Sequence, residues 1–588
     1  MDKGLFKNLP LPISILILAT LGARLQNEYL LYAMVALICL TVCLVVFNKV
    51  NERFYPYIIF SIGLSLLYQT TLQSPYVMGT DIHGEFFYAW RVLTTGTWNY
   101  SEPIAYNAAL GSTLLPPLIS TVFKIPLEWV FKAVLPIFLA TTSTVLFFIL
   151  RKFFNSKVSF LSVFFFMAIP TYITELPAIG KEQVAELFLV LGLYLLLIPK
   201  FKLPLRLTLI GLCGIFASLA HYTVGIIFML LLVGLLLLLP FFKKRLIPLR
   251  YLAVVVIVVI VLSLGFFSWT AEGYTFNKLE TIGITLVNNL PEVNLEVAEI
   301  PDLPDLLDLP VSATITLPAY FGKHTSTIRA VFGLDFMESS FLGKVFRIFQ
   351  YGTQVLVILG SIYILLRRRR MGLSSEYKAL FLASWILLGI CVLIPGVSAI
   401  ANATRFYHFA LFLIAPALIL GGRIVFRDYR ILVICLLIPY FLFTSGLIFE
   451  AAKIDNIERL EIPYVHAFSA VRVDTTGVFT KNDGEVRDWM AGNRIEGIEV
   501  FGDVHSIYFL IEKWGPAVGL QYLTLGEEIP EGSYLYLRER NEQKEELTFW
   551  SGVGTRKKVS YEELNFKEVL EGRNILKQAG NAKVYGPK

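Results

Sequence analysis

The sequence predicts a polytopic α-helical membrane protein of about thirteen spans, N-terminus cytoplasmic, with a small α/β domain at the C-terminal end. Three observations carry this expectation. Of 588 residues, 56% are hydrophobic and only 16% charged, and the mean hydropathy is +0.65, too apolar for a soluble globule. The apolar residues gather in windows near the roughly 20 residues that a helix needs to cross a bilayer. The basic residues fall in the short loops after alternate windows, as the positive-inside rule requires.

The windows lie near 9–24, 29–48, 55–73, 127–150, 158–178, 182–199, 206–221, 223–240, 249–270, 347–366, 378–395, 405–421 and 431–449. With the N-terminus inside, every basic loop falls on the cytoplasmic side. These loops carry Lys49 and Arg53; Arg151, Lys152 and Lys157; Lys200, Lys202 and Arg206; Lys243, Lys244, Arg245 and Arg250; the run 367–370; and Arg423, Arg427 and Arg430. The net charge of +6 is therefore a topology signal, and no nucleic-acid partner is expected. Lys3 and Lys7 precede a window with no evident cleavage site, which is expected to be a retained first span. All five cysteines lie inside apolar runs and none forms a CxxC pair, so neither a zinc site nor a disulfide is expected.

This topology divides the chain into a membrane domain, 1–449, and an extracytoplasmic domain, 450–588. It leaves the loop 74–108, the turn at His221, the loop 271–345 and the C-terminal domain on the outer side. In that domain Asn482-Asp483-Gly484-Glu485 has the spacing of a capping box opening a helix through Trp489. Apolar runs at 498–501, 522–525 and 534–537 read as strands, with helix-like pieces at 505–513 and 562–572. Prolines and Asp302, Asp305 and Asp308 make 291–318 an irregular stretch. No internal repeat is evident.

Directly after the third window stands Gly79-Thr80-Asp81-Ile82-His83-Gly84-Glu85, followed by an aromatic amphipathic stretch, 86–93, suited to the membrane interface. Two carboxylates and an imidazole this close can hold a divalent cation, with Asp81 and Glu85 as ligands. Oxygen donors favour magnesium, manganese or calcium over zinc. Equally, one carboxylate can act as a base, its pKa set by its neighbours. The competing reading is that Asp81 caps the following helix while His83 and Glu85 are solvated. Arg405 sits at the outer end of the twelfth window, where its planar fork suits a phosphate; snorkelling to the interface is the alternative. Arg329, Lys323 and Lys181 are weaker cationic candidates. His221 lies between two apolar segments, either as a site residue or as a turn histidine bonded to a nearby carbonyl. Glu175, Lys181 and Glu182 flank the turn between the fifth and sixth windows, and pairing among themselves is favoured over lining a cavity.

An acidic motif in the first large outer loop, an interfacial helix behind it, many spans and an outer C-terminal domain are together similar to the GT-C glycosyltransferases. The motif at 79–85, the turn Ala220-His221-Tyr222, and Arg405-Phe406-Tyr407-His408 followed by 411–422 resemble an uncharacterised archaeal membrane family of that superfamily, over nearly the whole chain. The resemblance implies sugar transfer, usually inverting, from a polyprenyl (dolichyl) phosphate carrier to an extracytoplasmic glycan, glycolipid or protein acceptor at the cytoplasmic membrane. It implies Asp81, then Glu85, as base or metal ligand with His83 beside them. Arg405, His221, Tyr222, Lys181, Glu182, His408 and Arg329 would face the substrate and its phosphate. The en-bloc oligosaccharyltransferases carry a WWDYG signature, of which Lys513-Trp514-Gly515 is a distant echo, so transfer of whole glycans to asparagine is disfavoured. A transporter or flippase would instead place ionisable groups near the bilayer midplane, often in repeated halves. A non-catalytic assembly subunit would have a dispensable Asp81 motif.

Overall fold

A computed structural model describes residues 10–277, 331–366, 371–393, 403–454, 477–493, 495–515, 519–552 and 555–588, with Glu280 and Phe468. The apolar windows form α1 (Pro10–Arg24), α2 (Glu28–Val46), α3 (Tyr55–Thr71), α6 (Leu127–Arg151), α7 (Ser156–Met167), α8 (Gly180–Leu197), α9 (Leu203–Ala220), α10 (Tyr222–Phe241), α11 (Leu249–Trp269), α12 (Phe341–Leu366), α13 (Ser375–Leu393), α14 (Ala403–Phe426) and α15 (Tyr429–Thr444). Local chemistry sets several starts. Asn27 accepts from the Leu30 amide at 3.1 Å and Asn155 from Val158 at 2.9 Å, each satisfying one orphan donor of the first turn.

Each of the thirteen windows falls on helical backbone, and eight helices among the described residues are long and apolar enough to cross a membrane. The stretch expected as one span over 158–178 is bent by 56° between α7 and the segment Thr171–Ala178. Pro170 stands at the break, where its missing N–H and its ring oppose helix continuation. Among the described residues before the C-terminal domain, α4 (Asp81–Thr95), the amphipathic stretch behind the acidic motif, and α5 (Leu110–Phe123) lie outside the windows.

The loops sort onto two ends of the bundle. At one end Lys157 Nζ donates to the Val46 carbonyl at 3.2 Å, the Arg430 guanidinium covers the Phe47 ring at 5.1 Å, Phe153 packs on Tyr377 at 4.6 Å, and the Leu246 amide meets Glu376. This is the end that carries the basic loops. At the other end Thr171 Oγ1 donates to the Thr404 carbonyl at 3.3 Å, and the Lys132 ammonium meets the Ser74 carbonyl.

The C-terminal domain sits at this second end, where Ser74 Oγ donates to the Phe479 carbonyl at 2.9 Å. Its five-stranded sheet has the order β2-β1-β3-β7-β6, with β1 (Val500–Gly502) parallel to β2 (Leu520–Tyr522) and β3 (Tyr534–Leu537). The last two strands, β6 (Ile575–Ala579) and β7 (Ala582–Tyr585), run antiparallel, and β4 (Glu546–Gly552) pairs separately with β5 (Thr555–Ser560). Helices α16 (Lys481–Asn493), α17 (Val504–Trp514), α18 (Glu539–Lys544) and α19 (Phe566–Leu570) complete it. The capping box expected at Asn482 stands two residues earlier: the Asp483 carboxylate accepts from the Thr480 amide at 2.8 Å, and Thr480 Oγ1 from the Asp483 amide at 3.2 Å.

Candidate functional site

The first turn of α4 divides the acidic motif by helical geometry. Asp81 and Glu85, four residues apart, share a face, whereas His83 lies about 200° around from Asp81 and points elsewhere. Asp81 opens the helix, where the unpaired amides favour a negative charge, and its side chain is 43% exposed. Glu85 is fully buried.

Both carboxylates bear on one ammonium. Lys181 Nζ is 3.7 Å from Asp81 Oδ2 and 3.1 Å from Glu85 Oε1, and it lies 4.6 Å over the Tyr106 ring. The Lys181 backbone amide, in the first turn of α8, donates to Glu85 Oε2 at 3.0 Å. Gly180 permits this approach: a Cβ there would stand 2.8 Å from Leu135 and 3.0 Å from Glu85 Oε2. Burial raises the Glu85 carboxyl above the usual carboxylate range, and the Lys181 charge opposes that rise.

A second cluster joins α8 to α14. Arg405 Nη1 is 3.3 Å from Glu182 Oε2, and its Nε is 3.7 Å from Glu175 Oε2. These are ion pairs without directed hydrogen bonds, so the guanidinium fork keeps donors for a ligand. Thr404 Oγ1 holds Glu175 at 3.1 Å. One turn deeper His408 Nε2 is 3.0 Å from Glu186 Oε1, both side chains fully buried. Asp81 lies within electrostatic reach of both Lys181 and Arg405, as does Tyr222. The exposed carboxylate thus lies beside Lys181 and within electrostatic reach of Arg405, at the end of the bundle that carries the C-terminal domain.

His221 caps α10 with an extended backbone, and its buried ring packs edge-on against Tyr222 at 5.1 Å. The α5 helix begins against this turn, since a Cβ at Gly111 would stand 2.9 Å from the Ala220 carbonyl.

Three expectations are corrected. Solvation of His83 and Glu85 does not occur; both are buried. The three-donor grouping also separates, because His83 Nδ1 turns away to Glu512 Oε1 at 2.7 Å. Glu175, Lys181 and Glu182 do not pair among themselves, because successive helical residues diverge by about 100°. Lys181 faces α4 while Glu182 faces α14. Arg329, Lys323, 291–318 and 367–370 lie outside the described residues. Sequence reasoning missed Glu186, Tyr106 and Glu512. Glu186 had a signal: it stands one turn beyond Glu182 as His408 stands one turn beyond Arg405, so the two pairs make successive rungs between the helices.

Residues 320–585 match the family described as Predicted membrane protein (DUF2206). No curated protein matches the chain. Among solved structures it is similar to the archaeal oligosaccharyltransferase AglB from Archaeoglobus fulgidus in complex with an inhibitory peptide and a dolichol-phosphate. There the identity is 13% and the TM-score 0.44 over 81% of this chain, which spans only 64% of that protein's length. It is similar also to an Archaeoglobus fulgidus oligosaccharyltransferase in the apo form, at 12% identity and TM-score 0.46 over 86% of this chain and 74% of the other. A third likeness is to ArnT from Cupriavidus metallidurans bound to undecaprenyl phosphate, at 11% identity and TM-score 0.38, covering 91% of this chain and 97% of the other. Likeness at this level assigns neither substrate nor chemistry to the present chain.

Proposed function

We propose that the chain is a membrane glycosyltransferase that moves a sugar from a polyprenyl-phosphate carrier to an acceptor hydroxyl outside the cytoplasm, with Asp81 as the base. The observation that carries this reading is the open Asp81 carboxylate, 43% exposed and 3.7 Å from Lys181, at the end of the bundle where Arg405 also points. A base must reach the acceptor proton directly, and among the three groups of the motif only Asp81 is open to it.

In the proposed step Asp81 takes the acceptor proton, the acceptor oxygen bonds to the anomeric carbon from the face opposite the carrier, and the carrier leaves with the bonding electrons as a polyprenyl phosphate. Arg405 pairs with the phosphate oxygens through its fork, and Lys181, 3.7 Å from Asp81, positions that carboxylate. A divalent cation on Asp81 and Glu85 fits poorly, because the Lys181 ammonium already bridges them and would have to be displaced. No step is therefore routed through a metal. Transport is the weaker reading: Glu182, Glu186, Arg405 and His408 all lie within the first two turns of α8 and α14, within about 10 Å of the helix ends at 1.5 Å per residue.

The test is Asp81→Asn in proteoliposomes supplied with a radiolabelled sugar on polyprenyl phosphate. The variant is expected to keep the wild-type melting temperature and lose transfer by on the order of a hundredfold or more. Wild-type turnover in Asp81→Asn would remove Asp81 as the base.

A further inference from the structure

The imidazole of the acidic motif belongs to a junction and not to the reacting cluster. His83 Nδ1 is 2.7 Å from Glu512 Oε1, and because a carboxylate only accepts, Nδ1 is the donor. The other Glu512 oxygen meets the Arg487 guanidinium, which lies 4.2 Å over Phe509 and 4.8 Å over Tyr76. The His83 ring stands edge-on to Phe479 at 5.5 Å and stacks on Tyr508 at 6.1 Å. None of these side chains is open: His83 is 0%, Glu512 2% and Arg487 4% exposed. Further along the same two helices the Lys513 ammonium covers the Trp90 ring at 5.1 Å. Gly515, at φ +79 just past α17, lets Phe87 come so close that a Cβ would stand 2.8 Å from its ring.

We propose that His83 is a positioning residue: its bond to Glu512 seats α17 of the C-terminal domain on α4 and thereby fixes α4, with Asp81 at its tip, against Lys181 and Arg405. The docking stands on this geometry alone, and its consequence for turnover rests on the glycosyltransferase reading above. The physical basis is the cost of parting the pair. Separating α17 from α4 breaks the His83–Glu512 bond: His83 Nδ1 loses its acceptor and Glu512 keeps only Arg487, and an unmade hydrogen bond to a buried charged group is unfavourable. Lys181 and Arg405 belong to α8 and α14, so a tilt of α4 alone changes the Asp81 geometry. A misplacement of about 1 Å costs on the order of a hundredfold in rate.

Two variants of the full chain test the proposal by amide hydrogen exchange in detergent and by sugar transfer. His83→Leu removes the donor; His83→Asn keeps it, because the asparagine Nδ2 takes the place of the imidazole Nδ1 but cannot titrate. His83→Leu is expected to speed exchange of α4 and α17 by on the order of tenfold, as loss of a hydrogen bond to a charged group implies, while β3 keeps its protection. Transfer should fall in kcat with little change in KM for the carrier. His83→Asn should restore both exchange protection and turnover to near wild type. Unchanged exchange in His83→Leu would overturn the docking role. Normal exchange with lost turnover in His83→Asn would overturn positioning and make the ring a reacting group. If the wild type transfers no sugar while exchange behaves as expected, the glycosyltransferase reading fails and the docking role stands.

Discussion

Lys181 is the side chain on which the site's charge balance turns. It faces two carboxylates, one open and one fully buried; burial raises the Glu85 carboxyl above the usual carboxylate range and the Lys181 charge opposes the rise. Folding raises the Glu85 pKa above its unfolded value. The stability linked to this group is therefore fully present below the ordinary glutamate pKa and is lost as pH rises through the raised folded value. Lys181 restrains that loss by opposing the rise. In Lys181→Met the restraint is gone, so the melting temperature should fall more steeply than in wild type as pH rises above the ordinary glutamate pKa. Adding Glu85→Gln should flatten the slope again. Melting curves across that range check this, and parallel curves for wild type and Lys181→Met would show that Glu85 does not carry the linkage.

Among the elements, α12 and α14 cross with their backbones in close approach. A Cβ at Gly360 would collide with the Ala417 carbonyl and one at Gly421 with the Leu356 carbonyl, so backbone meets backbone where no rotamer can yield. Small residues permit such approaches in membrane helices, where close packing drives association. Gly360→Val should therefore cost about 1–3 kcal/mol or more, in the range of overpacked cores. Gly265→Ala and Gly389→Ala, with nothing within 4 Å of the added carbon, should be nearly neutral. Thermal unfolding in detergent separates the two outcomes. The helices themselves were legible because a span is a long uninterrupted apolar run, and α4 because its polar and aromatic residues alternate with helical period. Helix α5 was not: its second part, Leu115–Phe123, opens with Pro116 and Pro117, which interrupt the apolar pattern although proline is tolerated in a first turn. In the C-terminal domain the apolar strands β1 and β3 were legible. The hairpin β4–β5 was hidden by the charged run Arg556, Lys557 and Lys558, and β6–β7 is joined by only Gly580 and Asn581.

At the scale of the whole molecule, the sequence showed which groups share an end but not which touch. Helical spacing relates Glu182 to Glu186, whereas no periodicity relates His83 to Glu512, 429 residues apart. The two-ended arrangement itself yields the broadest prediction. Loops bearing Lys49, Lys152, Lys157, Lys244 and Arg430 belong to one end, and Asp81, Arg405 and the C-terminal domain to the other. Positively charged short loops are retained in the cytoplasm, so the basic end should face inward and the Asp81 end outward. In a cysteine-free background, cysteines placed at Thr97, in the exposed loop beyond α4, and at Lys577 on β6 should react with a membrane-impermeant maleimide in sealed right-side-out vesicles. Cysteines at Lys152 and Lys244 should react only after permeabilisation. The reverse pattern would place Asp81 in the cytoplasm, where an extracytoplasmic acceptor could not reach it, and would overturn the proposed reaction together with the orientation.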